Sequence, residues 1–285
     1  MIIGHEKQKK VLHNFLEKNN TPHALLFCGP EKVGKRSLAL EFIKLVNSIE
    51  GDIEKGNHPD ILLITPEKEE IYIEQIEQVI QKVSLKSSIL PFKGVVIDDA
   101  HLMNDYAQNS LLKTLEEPSG DTIIFLITEY PFLLLPTITS RTFKLNFTFV
   151  DEKEIYQLLQ KEGCKESKEI SSLAMGRPGV ALEYSSFKEK KEEEVIRRKE
   201  FADIINNDLT FRFQRAKEIS KKDDLKGVMK CWLQCLRSEF LEKVKNKEDI
   251  KKIKEVIEEI EDAILITRKT NVNIQLLLEK IMIKL

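Results

Sequence analysis

A glycine-flanked heptapeptide ending in lysine is the clearest chemical signal in the chain. Gly29-Pro30-Glu31-Lys32-Val33-Gly34-Lys35 fits the first seven positions of the phosphate-binding pattern G-x-x-x-x-G-K-[ST]. Such a loop presents backbone N–H groups at the start of a helix, where the helix dipole favours anions. Lys35 is placed to reach β- and γ-phosphates. The eighth position should supply a Ser or Thr hydroxyl for Mg²⁺, and here it is Arg36. Ser37 comes one residue late, about 100° further round a helix. The spacing predicts a phosphate cradle with a compromised metal site, and therefore poor hydrolysis.

Further residues extend this constellation. Asp98 closes the apolar run Gly94–Asp98, the Walker B position, where a carboxylate would hold Mg²⁺ directly or through water. Asp99 follows, where an active ATPase of this type carries Glu to polarise the attacking water. Asp is one methylene shorter, and a misplacement near 1 Å can cost ~10²-fold in rate. Thr128 ends another apolar run and suits either a γ-phosphate contact or the capping of a turn. Arg141, in Thr139-Ser140-Arg141-Thr142, reads as a solvated or ion-paired side chain. In a ring of subunits it would instead reach a neighbour's γ-phosphate as an arginine finger. Arg177, between Gly176 and Pro178, carries the same two readings. The histidines 5, 13, 23, 58 and 101 are scattered and suggest no metal or nucleophilic site.

The elements that must position these residues alternate between two periodicities. Short apolar runs at Ala24–Cys28, Asp60–Ile64, Gly94–Asp98, Thr122–Thr128 and Phe143–Phe147 read as buried strands. Helical spacing predicts Arg36–Val46, Ile73–Lys86 and Asn104–Leu115 between them. Alternation of this kind implies a parallel five-stranded sheet whose ligand sits beyond the carboxyl ends of the strands. Past residue 148 the strand pattern stops. Asp151–Tyr184 reads as two or three short helices, and everything from Phe187 onward as helical. Three broad apolar stripes follow, at Leu225–Phe240, Ile250–Ile264 and Leu276–Leu285, as in a bundle able to pack on partner subunits. The charge run Lys188–Glu194 reads as a solvated face. The predicted organisation is an α/β P-loop domain at 1–148, a small helical lid at 149–186 and an all-α bundle at 187–285.

Composition agrees with this layout. The 285 residues are 32% charged and 41% hydrophobic, as in soluble globular proteins, and are too many for one small core. No apolar run approaches the ~20 residues that span a bilayer, and the N-terminus lacks a signal-peptide core, so a cytoplasmic, non-membrane location is expected. Four cysteines do not form a disulfide framework, and Cys231 and Cys235 at i, i+4 read as core residues rather than zinc ligands. A net charge of −2 supplies no global drive toward nucleic acid.

At the level of whole motifs the chain resembles a known family. The strings HALLFCGPEKVGK (23–35), VVIDDAHLMNDYAQNSLLKTLEEP (95–118), FLITEYPFLLLPTITSRT (125–142), GRPGVAL (176–182) and NVNIQLLLEKIMIKL (271–285) are similar to the delta prime subunits of bacterial DNA polymerase III clamp loaders, AAA+ proteins. Arg36 and Asp99 together, with the length, favour delta prime over the ATP-hydrolysing gamma/tau subunits. The resemblance implies that Arg141 acts in trans as an arginine finger on ATP held by an adjacent motor subunit. It implies a vestigial or weak pocket for ATP or ADP around Gly29, Gly34, Lys35, Arg36, Ser37, Asp98 and Asp99, with Thr128 and Arg177 in sensor positions. It further implies a collar at 187–285 that joins a pentameric ring with gamma/tau and delta subunits. That ring opens the sliding clamp and loads it on primer-template DNA. Two departures stand out. The stretch Val46–Asp60 holds none of the four cysteines of the family's zinc module, so no zinc is expected, and the usual Ser-Arg-Cys reads Ser140-Arg141-Thr142.

Three rival readings are set against this one. The first is an active gamma/tau-like ATPase subunit, which would have to hold Mg²⁺ without a loop hydroxyl. The second, a stand-alone P-loop phosphotransferase, finds no acceptor site. The third, a DNA-binding AAA+ regulator, lacks a helix-turn-helix signature or a basic recognition helix.

Overall fold

The fold is known from a computed structural model, which describes residues 2–18, 20–51, 53, 58–117, 120–269 and 272–285, with the side chains of 268 and 269 excepted. The chain divides into two compact units, 1–185 and 186–285.

In the first unit, β1 (Ala24–Cys28), β2 (Ile61–Ile64), β3 (Lys93–Ile97), β4 (Thr122–Thr128) and β5 (Phe143–Asn146) make one sheet in the order β2-β3-β4-β1-β5. Every neighbouring pair is parallel, as the alternation of runs predicts. Parallel strands need crossovers. These contain α2 (Lys35–Asn47), α3 (Ile73–Ser84), α4 (Asp105–Glu116) and α5 (Pro136–Thr139), while α1 (Glu6–Glu17) precedes β1. The strands are apolar at nearly every position because both faces are covered. Leu26, Ile97, Ile124 and Leu126 pack with Ile76 and Val79 of α3 and Leu111 of α4. The alternate residues Leu25, Phe27, Val96 and Phe125 pack with Leu12 of α1 and Phe42 and Ile43 of α2.

Element ends shift slightly from the sequence reading, for local reasons. Asp98 lies one residue beyond β3. Its N–H still bonds to the Ile64 carbonyl at 2.9 Å, but Asp99 turns left-handed at φ 49° and leaves the sheet. Asn104 stands outside α4 as its cap, its side chain accepting the Ala107 N–H at 2.9 Å. The helix α1 has no counterpart in the sequence reading.

Three short helices complete this unit: α6 (Glu152–Lys161), α7 (Ser167–Ala174) and α8 (Pro178–Ser186). Their small core gathers Val150, Ile155, Leu159, Ile170, Ala174 and Ala181.

The second unit is helical among its described residues: α9 (Lys188–Asn206), α10 (Leu209–Ile219), α11 (Leu225–Asn246), α12 (Lys251–Lys269) and α13 (Ile274–Lys284). Trp232 is its largest buried side chain and stacks on Phe201 of α9 at 5.4 Å between centroids. Val256 and Ile260 of α12 and Leu278 and Ile281 of α13 close the same core. The charge run at the start of α9 is not wholly solvated. Lys191 and Glu194, three residues apart, turn inward and are buried, with Glu194 accepting from Arg198 one turn on at 2.9 Å. None of the described helices is long and apolar enough to cross a membrane.

Candidate nucleotide pocket

The glycine loop begins where β1 ends, held on both sides by neighbouring strands. The Gly29 N–H donates to the Thr128 carbonyl at 3.1 Å, and the Phe147 N–H donates to the Cys28 carbonyl at 2.6 Å. Gly29 has φ 145°, and a Cβ there would lie 2.3 Å from the Phe147 carbonyl oxygen, so no side chain fits. The loop then closes on α8. Gly179 donates its N–H to the Lys32 carbonyl at 2.9 Å, and the Lys32 ammonium pairs with Glu183. From the N-terminal side, His5 Nε2 lies 2.8 Å from the Val33 carbonyl. Sequence reasoning missed these three supports. The closely spaced Gly176 and Gly179 were the one visible signal, since close backbone approach demands glycine.

The loop and α8 border a cavity of 370 Å³, within the usual range for small-ligand sites. Residues 31–37, Asp98 and Asp99 form its polar side. Pro178 and Gly179 face it from α8, and Ile2, Ile127 and Leu182 give it apolar wall.

Lys35 is the first residue of α2 and is only 6% exposed. Its ammonium donates to the carbonyls of Gly29 at 2.5 Å and Pro30 at 2.6 Å. Burial pulls its pKa below the usual lysine value, against the opposing pull of Glu129, Asp98 and Asp99. The Arg36 guanidinium lies beside Asp98, with Nη1 3.8 Å from Oδ2. Burial raises the Asp98 pKa, while Arg36, the Asp99 N–H and Lys35 act to lower it. Asp98 Oδ1 also accepts the Asp99 N–H at 3.1 Å.

The structure therefore brings Gly34, Lys35, Arg36, Ser37, Asp98 and Asp99 together on one cavity, with Gly29 beneath the Lys35 ammonium. The other predicted residues stand off its lining. Thr128 is fully buried; its hydroxyl accepts the Tyr130 N–H at 3.0 Å and lies 3.2 Å from His101 Nδ1. Arg177 is buried, with its guanidinium 5.3 Å from the centre of the Phe149 ring. Arg141 lies between α5 and β5 and pairs with Glu116 at the end of α4.

The residues present fit a phosphate chain: backbone amides at a helix start, one buried ammonium and one adjacent guanidinium. They do not fit Mg²⁺. The loop hydroxyl is missing, and the carboxylate that would receive the metal already faces a guanidinium. The four cysteines, 28, 164, 231 and 235, are free thiols. Cys231 is buried, and its hydrogen bond to Cys235, with burial, pushes its pKa up while that of Cys235 is lowered. Part of the 46–60 stretch, residues 52 and 54–57, lies outside the described residues. So do Pro118 and Asn271 of the motif strings.

A doubly covered parallel sheet with a glycine loop between β1 and α2, followed by a helical C-terminal region, defines the α/β P-loop fold of the AAA+ type. The profile of the family described as "DNA polymerase III, delta subunit" matches residues 4–151, and the chain belongs to that family. It is 40% identical over 159 residues to the DNA polymerase III subunit delta' of Bacillus subtilis, covering 51% of this chain and 48% of that one. It is 33% identical over 171 residues to the DNA polymerase III subunit tau/gamma of Haemophilus influenzae, covering 55% and 25%. The chain thus spans about half or less of the length of these relatives. A crystal structure of a DNA polymerase III gamma subunit-related protein from Thermotoga maritima shares the fold, with a TM-score of 0.54 at 19% identity over 95% of this chain and 97% of that one.

Proposed function

We propose that the chain acts as a delta-prime-like member of the DNA polymerase III clamp loader, contributing an arginine finger and little or no hydrolysis of its own. The observation that carries this reading is the Arg36–Asp98 pair, which puts a cation where a motor subunit needs a hydroxyl and a free carboxylate. Arg141 is the finger. It stabilises the transferring γ-phosphoryl group of ATP held by an adjacent gamma/tau subunit. Residues 187–285 serve as the collar that joins gamma/tau and delta, and 149–186 as the lid. The assembled ring opens the sliding clamp and loads it on primer-template DNA. The subunit works in the cytoplasm, away from membranes, and needs no zinc.

The test is ATP turnover by the purified chain, alone and mixed with its host's gamma/tau subunit. The expected result is no turnover alone and stimulation on mixing that Arg141→Ala abolishes. Robust turnover by the isolated chain would overturn the reading in favour of a gamma/tau-like motor subunit. Lys35→Ala should leave turnover of the mixture close to wild type, because the neighbour's ATP, not this loop's ligand, is the one hydrolysed.

A further inference from the structure

Magnesium normally does two jobs in a phosphate loop: it neutralises the phosphate chain, and it ties that chain to the strand-end carboxylate. In this pocket a side chain stands at the junction where both are done. Arg36 immediately follows Lys35, lines the same cavity, and reaches the Asp98 carboxylate at 3.8 Å while its own side chain stays 40% exposed. A guanidinium presents five N–H donors in a planar fork, so one edge can face a carboxylate while others meet phosphate oxygens.

A dication would fare poorly in the same place. Mg²⁺ demands near-ideal octahedral oxygen ligation. Here the loop hydroxyl is absent, Ser37 is rotated onward along α2, and Asp98 is already partnered. The metal would also sit against the positive charge of Arg36. We infer that this loop is a metal-independent phosphate site, in which Arg36 replaces Mg²⁺ and the ligand is a metal-free nucleoside polyphosphate. Among such ligands the diphosphate is favoured. Lys35 and Arg36 are the cations offered to the phosphates, and Arg36 is already shared with Asp98, so the added negative charge of a third phosphate would go unbalanced. The inference deepens the pocket reading above and does not depend on the finger.

The test is titration of the 285-residue chain with a fluorescent ADP analogue, in EDTA and again in excess Mg²⁺, for wild type, Arg36→Thr and Lys35→Ala. Wild type should bind at least as tightly in EDTA as in Mg²⁺, since the metal withdraws the free nucleotide. Arg36→Thr should lose about tenfold in EDTA, the scale of a charge-assisted contact, and regain affinity when Mg²⁺ is added. Lys35→Ala should abolish binding under both conditions. Competition by ATP should be weaker than by ADP in EDTA. Binding by wild type that requires Mg²⁺, no binding in either condition, or an Arg36→Thr protein unchanged in EDTA would each overturn the inference. None of these results alters the expected effect of Arg141→Ala on a mixed complex, so the two readings fail separately.

Discussion

The Arg141 guanidinium grips a single oxygen of Glu116: Nε donates to Oε1 at 2.7 Å, and Nη2 lies 2.5 Å from the same atom. Nη1 donates to the Thr137 carbonyl at 2.9 Å, so the side chain is tied at both ends of its fork. The pair is partly exposed, and such pairs contribute roughly 0–1 kcal/mol to stability. Its importance is geometric, because it holds the planar group in place at the surface.

Replacing Arg141 by Lys should therefore separate folding from function. The isolated chain should unfold within about 1 kcal/mol of wild type in a urea titration. In the mixed complex, single-turnover hydrolysis at one motor site should fall by about 10³, nearly as far as with Ala, because an ammonium lacks the fork that matches a phosphoryl group. A Lys variant that retained full turnover would show that charge alone suffices.

His5 gives a pH dependence of definite sign. Burial lowers its pKa from 6.5, and Lys9 and Lys35 lower it further, against the bond to Val33 and the charge of Glu154. The unfolded chain thus takes up the proton at a higher pH than the folded one. The His5 contribution should be complete above pH 6.5, shrink as pH falls below it, and level off once the folded group also titrates. Denaturant melts of wild type and His5→Gln across that range should show the slope in wild type and a smaller one in the variant.

Asp60 secures the loop that leads into β3. It is buried, and its carboxylate accepts the N–H groups of Ser88, Ile89 and Leu90 at 2.8, 2.7 and 2.9 Å. Burial acts to raise its pKa, yet these three bonds prevail and the net shift is downward from 3.8. Its stabilisation is present above that value and is lost as pH falls through the lower folded pKa. Asp60→Ala should cost about 1–3 kcal/mol at neutral pH by leaving buried donors unpaired. Amide exchange at 88–90 should accelerate more than elsewhere in the unit.

Trp232 anchors the second unit. Trp232→Ala removes a fully buried ring and its stack on Phe201, and should cost about 3–5 kcal/mol. Fragment 186–285 is where the loss should register, as reduced helical circular dichroism and earlier melting of the variant chain.

Much of the first unit is legible in the sequence, because buried parallel strands announce themselves as short apolar runs. Ala24–Cys28 and Thr122–Thr128 were predicted to the residue. The glycine loop, Lys35, Arg36, Asp98 and Asp99 could be read too, since their spacing is a local property of one loop and one strand end. Thr128 and Arg177 were harder. Whether a strand-end hydroxyl faces a ligand or caps a turn depends on His101 and Tyr130, which reach it through tertiary packing. Helix α1 went unseen because its buried face is narrow: Leu12 alone is fully covered. Lys191 and Glu194 were hidden for a related reason, since a run of charges carries no sign of which members turn inward.

Consider again the carbonyl of Phe147 beneath Gly29. The backbone path of the loop is dictated by β5 on one side, by α8 through Lys32 on another, and by His5 at Val33. None of these constraints refers to hydrolysis. The loop's shape is therefore a property of the packing around it, independent of which side chains face the cavity. What departs from the G-x-x-x-x-G-K-[ST] pattern is the side chain at 36, not the backbone that carries it. An Arg36→Thr exchange would change the charge of the cavity while leaving in place the backbone contacts that shape the loop.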